Sequence, residues 1–244
     1  MNRIIRKEML TPEIALLEVE APRIARRWKA GNFIIIRPTP ASERIPLTIV
    51  DGGVERGTIT MVVQAIGKTT RITAALEAGD SLADLVGPLG EAASVQYVGR
   101  ALCRILDKEL REAADEVLWA TDDGSTGFHG NVVQYMNSWV ATQERKPDVV
   151  HVIGPIPMMR AAAEATRPWG VRTYASLNPI MIDGTGMCGG CRVTVGGKVR
   201  FACVEGPEFD AHEVDFDELA RRNRAYSLQE KQVLEEHACK IGLR

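Results

Sequence analysis

Three of the chain's five cysteines, Cys188, Cys191 and Cys203, fall within sixteen residues. Thiols set that close together dictate local geometry before any other pattern does. The residues between Cys191 and Cys203 read RVTVGGKVRFA, two β-rich runs about a glycine pair. Gly-Gly between such runs predicts a tight hairpin. The hairpin returns Cys203 to the side of Cys188 and Cys191, so three sulfurs converge. Gly189 and Gly190, between the first two cysteines, let the backbone wrap closely and aim N–H groups at sulfur. Five cysteines in 244 residues do not make a disulfide framework. In a reducing compartment, clustered thiols point to metal or redox chemistry.

Two metals answer this pattern. Zinc wants four tetrahedral ligands, usually from two knuckles. A second CxxC is absent, and the remaining donors on offer, Cys239 and His212, sit in no knuckle. A [2Fe–2S] cluster also wants four ligands, with plant-type spacing C-x4-C-x2-C…C. Counting back from Cys188 reaches Asp183, which gives D-x4-C-x2-C-x11-C. A carboxylate oxygen can ligate iron. The opposing reading is that Asp183 caps a turn and the cysteines are packed side chains. Cys103 reads as a packed helix residue, and His129, His151 and His237 show no ligand spacing.

Composition narrows the class. The chain is 45% hydrophobic and 25% charged with a formal net charge of -2, an ordinary globular balance. Nothing in it speaks for nucleic acid or for a solvating acidic arm. The longest apolar runs, such as FIII from Phe33, are too short to span a bilayer. The opening MNRIIRKEML is basic but lacks the apolar core and cleavage site of a signal peptide, so a cytoplasmic protein is expected.

The organisation expected is α+β and multi-domain. Residues 1–92 carry short β-branched runs at Ile14–Val19, Phe33–Arg37, Pro46–Val50 and Thr58–Val63, parted by turn signals, and predict a small antiparallel β-barrel. A helix is expected at Thr69–Glu77. Residues 93–175 alternate helix and strand, which predicts a parallel sheet. The cysteine segment at 176–213 forms a small domain of its own. A helical tail follows at 214–244, with Ser227 and Glu230 as a capping box and Leu234, Ala238 and Ile241 along one face.

The cysteine segment together with RIPLTI from Arg44, QAIGKTT from Gln64 and VGPLG from Val86 closely resembles one family. It is similar to the small electron-transfer subunit of NADH-dependent ferredoxin:NADP oxidoreductase, also described as the sulfide dehydrogenase small subunit. The relatives of that family include the electron-transfer subunit of dihydroorotate dehydrogenase B. The resemblance covers nearly the whole chain. It implies a ferredoxin-reductase-like flavoprotein with FAD on the barrel. Arg44 would face the flavin's diphosphate, and Pro46, Leu47 and Thr48 would lie along its ribityl chain and ring. Gln64 and the Gly67-Lys68-Thr69-Thr70 turn would bind there too, since a helix N-terminus is an anion site. The resemblance also implies that aspartate can be the fourth cluster ligand, so Asp183, Cys188, Cys191 and Cys203 would hold [2Fe–2S]. The implied partner is a larger subunit carrying FAD and [4Fe–4S] clusters, with ferredoxin as a further one.

The chain departs from the family after Gly90. The expected strand and glycine-rich turn of the nucleotide domain are missing, and roughly one βαβ step is absent. Asp122, Asp123, Gly124, Gly154 and Pro155 stand at strand ends, where the family places NAD(P) contacts; as plain turns they would need no ligand. The function expected is an oxidoreductase subunit passing electrons between NAD(P)H or a partner flavoprotein, FAD and a [2Fe–2S] cluster. The competing readings are a dihydroorotate dehydrogenase-type electron-transfer subunit, a scaffold subunit without nicotinamide activity, and a zinc-stabilised binding module.

Overall fold

The structure is a computed structural model that describes residues 2–93, 98–102 and 107–240, with the backbone alone at 98–102, 107, 109 and 237–240. Cys103, read as a packed helix residue, and Ile241 of the tail lie outside the described residues. The chain forms two compact units. One joins 1–93, 177–208 and 214–244; the other comprises 94–176 and 209–213.

The first unit opens with strands β1 (Asn2–Thr11) and β2 (Ile14–Glu20), the short helix α1 (Pro22–Ala25), and β3 (Phe33–Arg37), β4 (Ile45–Thr48), β5 (Asp51–Gly53) and β6 (Thr58–Gln64). Helix α2 (Lys68–Ala75), β7 (Ser81–Leu82) and β8 (Asp84–Leu89) complete this part. Leu17, Val19, Ile34, Ile36, Ile59, Met61 and Val63 form one buried cluster. Full burial of each such side chain stabilises by roughly 1.5–3 kcal/mol. The ladder hydrogen bonds do not close into a barrel. They make two antiparallel sheets, ordered β5-β6-β2-β1-β7 and β4-β3-β8. The cause is a corner. After Thr48 the chain turns, Val50 N–H bonds to Thr60 O at 2.9 Å, and β5 then pairs with β6 instead of extending β4.

β3 explains its own sequence. Ile34 and Ile36 enter the core cluster, yet Phe33 and Ile35 are buried as well. Alternation puts Phe33 and Ile35 on the opposite face, so that face must also be covered.

In the second unit, β9 (Val98–Leu102), α3 (Asp107–Ala113) and β10 (Ala114–Leu118) are followed by β11 (Ala120–Thr121), β12 (Phe128–His129) and α4 (Val132–Ala141). β13 (Val149–Ile153), α5 (Ile156–Thr166) and β14 (Arg172–Ser176) come next. The pairs β9/β10, β11/β12 and β13/β14 are all parallel, as the alternating order predicts. Among the described residues they remain separate small sheets.

The chain then forms β15 (Arg192–Val195), β16 (Lys198–Phe201), α6 (Ala202–Glu205), β17 (Glu208–Asp210), α7 (Phe216–Asn223) and α8 (Ser227–Lys240). β17 joins the edge of β14. α8 lies against α2. Ser227 is not the helix cap expected of it: it is already the first helical residue, and Glu230 N–H bonds to Tyr226 O at 2.9 Å. Among the described residues, no helix is long and apolar enough to cross a membrane.

Candidate metal and cofactor site

The cysteine hairpin forms as its sequence demands. Arg192 pairs with Phe201 and Val195 with Lys198, and Gly196 and Gly197 both take positive φ, as a two-residue type I′ turn requires. Cys203 follows β16 in the first turn of α6 rather than at the end of a longer strand. Glu205 sets that turn by accepting Phe201 N–H at 2.7 Å and pairing with Arg200. Ala202 N–H bonds to Cys191 O at 3.2 Å, which lays Cys203 beside Cys191. Their Sγ atoms are 3.1 Å apart and both residues are buried. Burial, reinforced by the neighbouring Cys191 thiol, pushes the Cys203 thiol up to about 12.

Asp183 does two things in the loop before them. Its Oδ1 accepts Thr185 N–H and its Oδ2 accepts Cys188 N–H, each at 2.8 Å. The Thr185 amide holds the carboxyl below the usual range against partial desolvation, with help from Cys188. The turn-capping reading of Asp183 is therefore part of the truth. The same bonds also bring the carboxylate to the thiol of Cys188, which is exposed. The four candidate donors thus sort into two pairs, Asp183 with Cys188 and Cys191 with Cys203. Among the described residues, no three His, Cys, Asp or Glu groups stand closed round a metal position. Three thiols and a carboxylate suit iron, and the pairing suits a two-iron cluster with two donors for each iron.

Zinc finds less support. His212 Nε2 is 3.0 Å from Thr166 Oγ1 and Nδ1 lies toward Asp210, so its ring is engaged inside the second unit. The Cys239 side chain lies outside the description.

The loop before the cysteines rests on the β4-β3-β8 sheet. Gly184 has φ +76, and a Cβ there would stand 2.5 Å from Leu89 Cδ1 and 3.0 Å from Ile35 Cδ1. This is the cover that the outer face of β3 needs. Gly90 meets Gly206 O and Phe33 in the same way, and Glu91 N–H bonds to Gly206 O. Directly opposed residues of an antiparallel pair share a face. Pro46 faces Ile35 and Thr48 faces Phe33, so Pro46 and Thr48 lie on the side that the cysteine loop covers. Leu47 turns the other way, onto the core.

Arg44 precedes β4 and donates to Asp84 Oδ2 at 3.0 Å; Arg37 Nε lies 2.7 Å from the same oxygen. The Arg44 hydrogen bond, followed by Arg37, holds the Asp84 carboxyl below its ordinary range. Gly67 is the N-cap residue of α2, and Thr70 Oγ1 accepts its N–H at 2.9 Å. Gln64 is exposed at the end of β6. Glu43 was missed in the sequence. It accepts the Thr69 hydroxyl and lies 3.6 Å from Lys68 Nζ, so a carboxylate sits at the α2 N-terminus. No local pattern announces a contact between residues so far apart in the chain.

In the second unit, Asp122 and Asp123 follow β11. Asp123 Oδ1 accepts Ser125 N–H at 3.0 Å, and Gly124 has φ +69. Gly154 and Pro155 lead into α5, with Pro155 as its N-cap residue.

Residues 178–215 match the family described as the iron-sulfur cluster binding domain of dihydroorotate dehydrogenase B. A Thermotoga maritima protein described as a homolog of the dihydroorotate dehydrogenase B (NAD(+)) electron transfer subunit is 37% identical, covering 95% of this chain and 93% of its own. The chain belongs to this electron-transfer subunit family. Another relative in it, an uncharacterized protein from the adh 3' region of Clostridium beijerinckii, is 40% identical over 94% of this chain and 92% of its own. A solved chain from a study of flavin-based electron bifurcation in NADH-dependent reduced ferredoxin-NADP oxidoreductase superposes with a TM-score of 0.85 at 34% identity, covering 97% of each chain. The dihydroorotate dehydrogenase B electron-transfer family thus supplies both the ferredoxin-reductase-like fold and the kinship to oxidoreductase subunits.

Proposed function

We propose that this chain relays electrons between FAD, carried on the outer face of β3-β4-β8, and a [2Fe–2S] cluster held by Asp183, Cys188, Cys191 and Cys203. The observation that carries this reading is the seating of Gly184 on Ile35 and Leu89. It puts the cluster loop on the face that bears Pro46 and Thr48, so a flavin ring there lies within the same compact unit as the cluster. When bound, a flavin accepts a hydride and releases electrons singly, which a one-electron cluster can receive.

The chain's own residues bind and orient. Arg44 offers its guanidinium to the flavin diphosphate in place of Asp84. The α2 N-terminus, from Gly67 to Thr70, adds the amide donors of its first turn, and Gln64 precedes it at the end of β6. Pro46 and Thr48 line the ring side, while Leu47 fixes the strand through the core. Asp183 and Cys188 together, and Cys191 and Cys203 together, would supply the four ligands of the cluster. Metal ligation there would require the thiols as thiolates.

Nicotinamide contact falls to Asp122, Asp123, Gly124, Gly154 and Pro155 in a shortened nucleotide domain. The Thermotoga relative aligns over 265 positions, more than the 244 residues of this chain, which supports such shortening. The kinship to electron-transfer subunits supports a larger partner subunit, and exposed Ile182, Met187 and Val204 near the cluster loop offer it an apolar contact. Asp183 at the first ligand position favours the ferredoxin:NADP oxidoreductase branch of the family.

Anaerobic purification tests this reading. The expected product is brown-yellow, contains FAD, iron and sulfide, and gives a rhombic EPR signal on reduction. A colourless protein containing zinc would overturn it. Bleaching of the flavin by NADH supports nicotinamide binding; no bleaching with both cofactors present would assign the chain to relay alone.

A further inference from the structure

α7 ends on the cysteine loop. Arg222, near its C-terminus, donates from Nη2 to Gly190 O at 3.1 Å and to Gly189 O at 3.4 Å. These are the two residues between Cys188 and Cys191. The peptide joining them is therefore bonded on both sides: its carbonyl faces the guanidinium, and Gly190 N–H points to Cys188 Sγ at 3.5 Å. A cation on the carbonyl polarises an amide and strengthens its N–H as a donor. Arg222 Nε is buried without a hydrogen-bond partner, so the side chain is held in place by these carbonyls.

The helix is built to keep the guanidinium there. Asp215 caps it by accepting Glu218 N–H at 2.8 Å, and Asp215 N–H bonds to Thr194 O at 2.9 Å in the hairpin. Phe216 and Leu219 are buried. Asn223, the next residue, donates to Asn178 O at 3.0 Å. One helix end thus grips both the start of the cysteine segment and its central turn.

We propose that Arg222 is a positioning residue that orients the Cys188–Cys191 turn and, through the Gly189–Gly190 peptide, raises the reduction potential of the cluster. The inference rests on the cofactor reading above. Reduction adds negative charge, and a nearby cation together with a stronger N–H bond to a ligand sulfur favours the reduced form.

The test compares wild type, Arg222→Gln, Arg222→Lys and Asn223→Ala, purified anaerobically and titrated to an EPR-detected midpoint. Arg222→Gln is expected to lower the one-electron reduction constant about tenfold, about 59 mV. Arg222→Lys, which keeps the charge, is expected to recover at least half of that shift. Asn223→Ala loosens the same helix end without touching the Gly189–Gly190 peptide, and is expected to keep the wild-type potential. A wild-type potential in iron-loaded Arg222→Gln, or an equal shift in Asn223→Ala, overturns the inference. If Arg222→Gln takes up no iron, uptake by both other variants supports the positioning role, and failure of Asn223→Ala as well overturns it. A wild-type protein without any iron–sulfur signal sinks the cofactor reading instead.

Discussion

Gly184 is pressed against Leu89, so closely that a Cβ on the glycine would stand 2.5 Å from the leucine Cδ1. The contact joins the loop that presents Asp183 to the sheet that presents Pro46, and it leaves no room for a side chain.

Gly184→Ala should therefore both crowd this contact and strain a residue at positive φ. Overpacking of this kind destabilises by about 1–3 kcal/mol. In a chain of this size each kcal/mol lowers Tm by about 2–4 °C. Thermal melts of the holoprotein are the measure, with slower flavin-to-cluster transfer in stopped flow as a second readout. An unchanged melt would mean that the loop does not rest on this face.

Asp183→Ala should lose most of the cluster iron and leave flavin content unchanged. Asp183→Cys, which completes a four-thiol set, should load iron and give altered EPR g values. Iron and flavin assays on the purified variants decide this. Full iron in Asp183→Ala would remove Asp183 from the ligand set.

Arg44→Ala should weaken FAD binding. A hydrogen bond to a charged group contributes about 1.5–3 kcal/mol, so the dissociation constant should rise by roughly 10- to 100-fold. Arg44→Lys should recover little, because an ammonium cannot reproduce the planar fork. Flavin fluorescence titration of the apoprotein measures both.

Acid should loosen α2. Partial burial alone would raise the Glu43 carboxyl above its ordinary 4.5, but the Thr69 hydroxyl and Lys68 outweigh it and the group sits lower. A depressed folded value stabilises fully above the unfolded value and loses that stabilisation as pH falls through the folded one. Urea midpoints measured from pH 7 down to pH 3 should fall further in wild type than in Glu43→Gln. Parallel curves would show that the Thr69 and Lys68 contacts do nothing for stability.

What the sequence discloses follows from the range of each interaction. The β-branched runs at Ile14 and Thr58 and the Gly196-Gly197 turn announce themselves, because their cause is local. The run FIII was legible as a strand, but its reason for being apolar on both faces lies far along the chain, at Gly184. β1 was hidden because its charged residues alternate with few buried positions. The open corner after Thr48 depends on which strand Asp51 meets, and Glu43 and Arg222 act on partners remote in sequence. Spacing pointed to Asp183, but only coordinates reveal that it holds the Cys188 amide and is drawn toward that thiol together with it.

The chain leaves the unit that carries the cysteine hairpin near residue 93 and re-enters it near residue 177. This unit is thus a host interrupted by a guest. The entropy of closing such an excursion changes by only about 0.6 kcal/mol for each doubling of its length. Lengthening or shortening the guest therefore barely disturbs the folding of the host, and evolution can resize the inserted segment while the cysteine hairpin keeps its seat on β3.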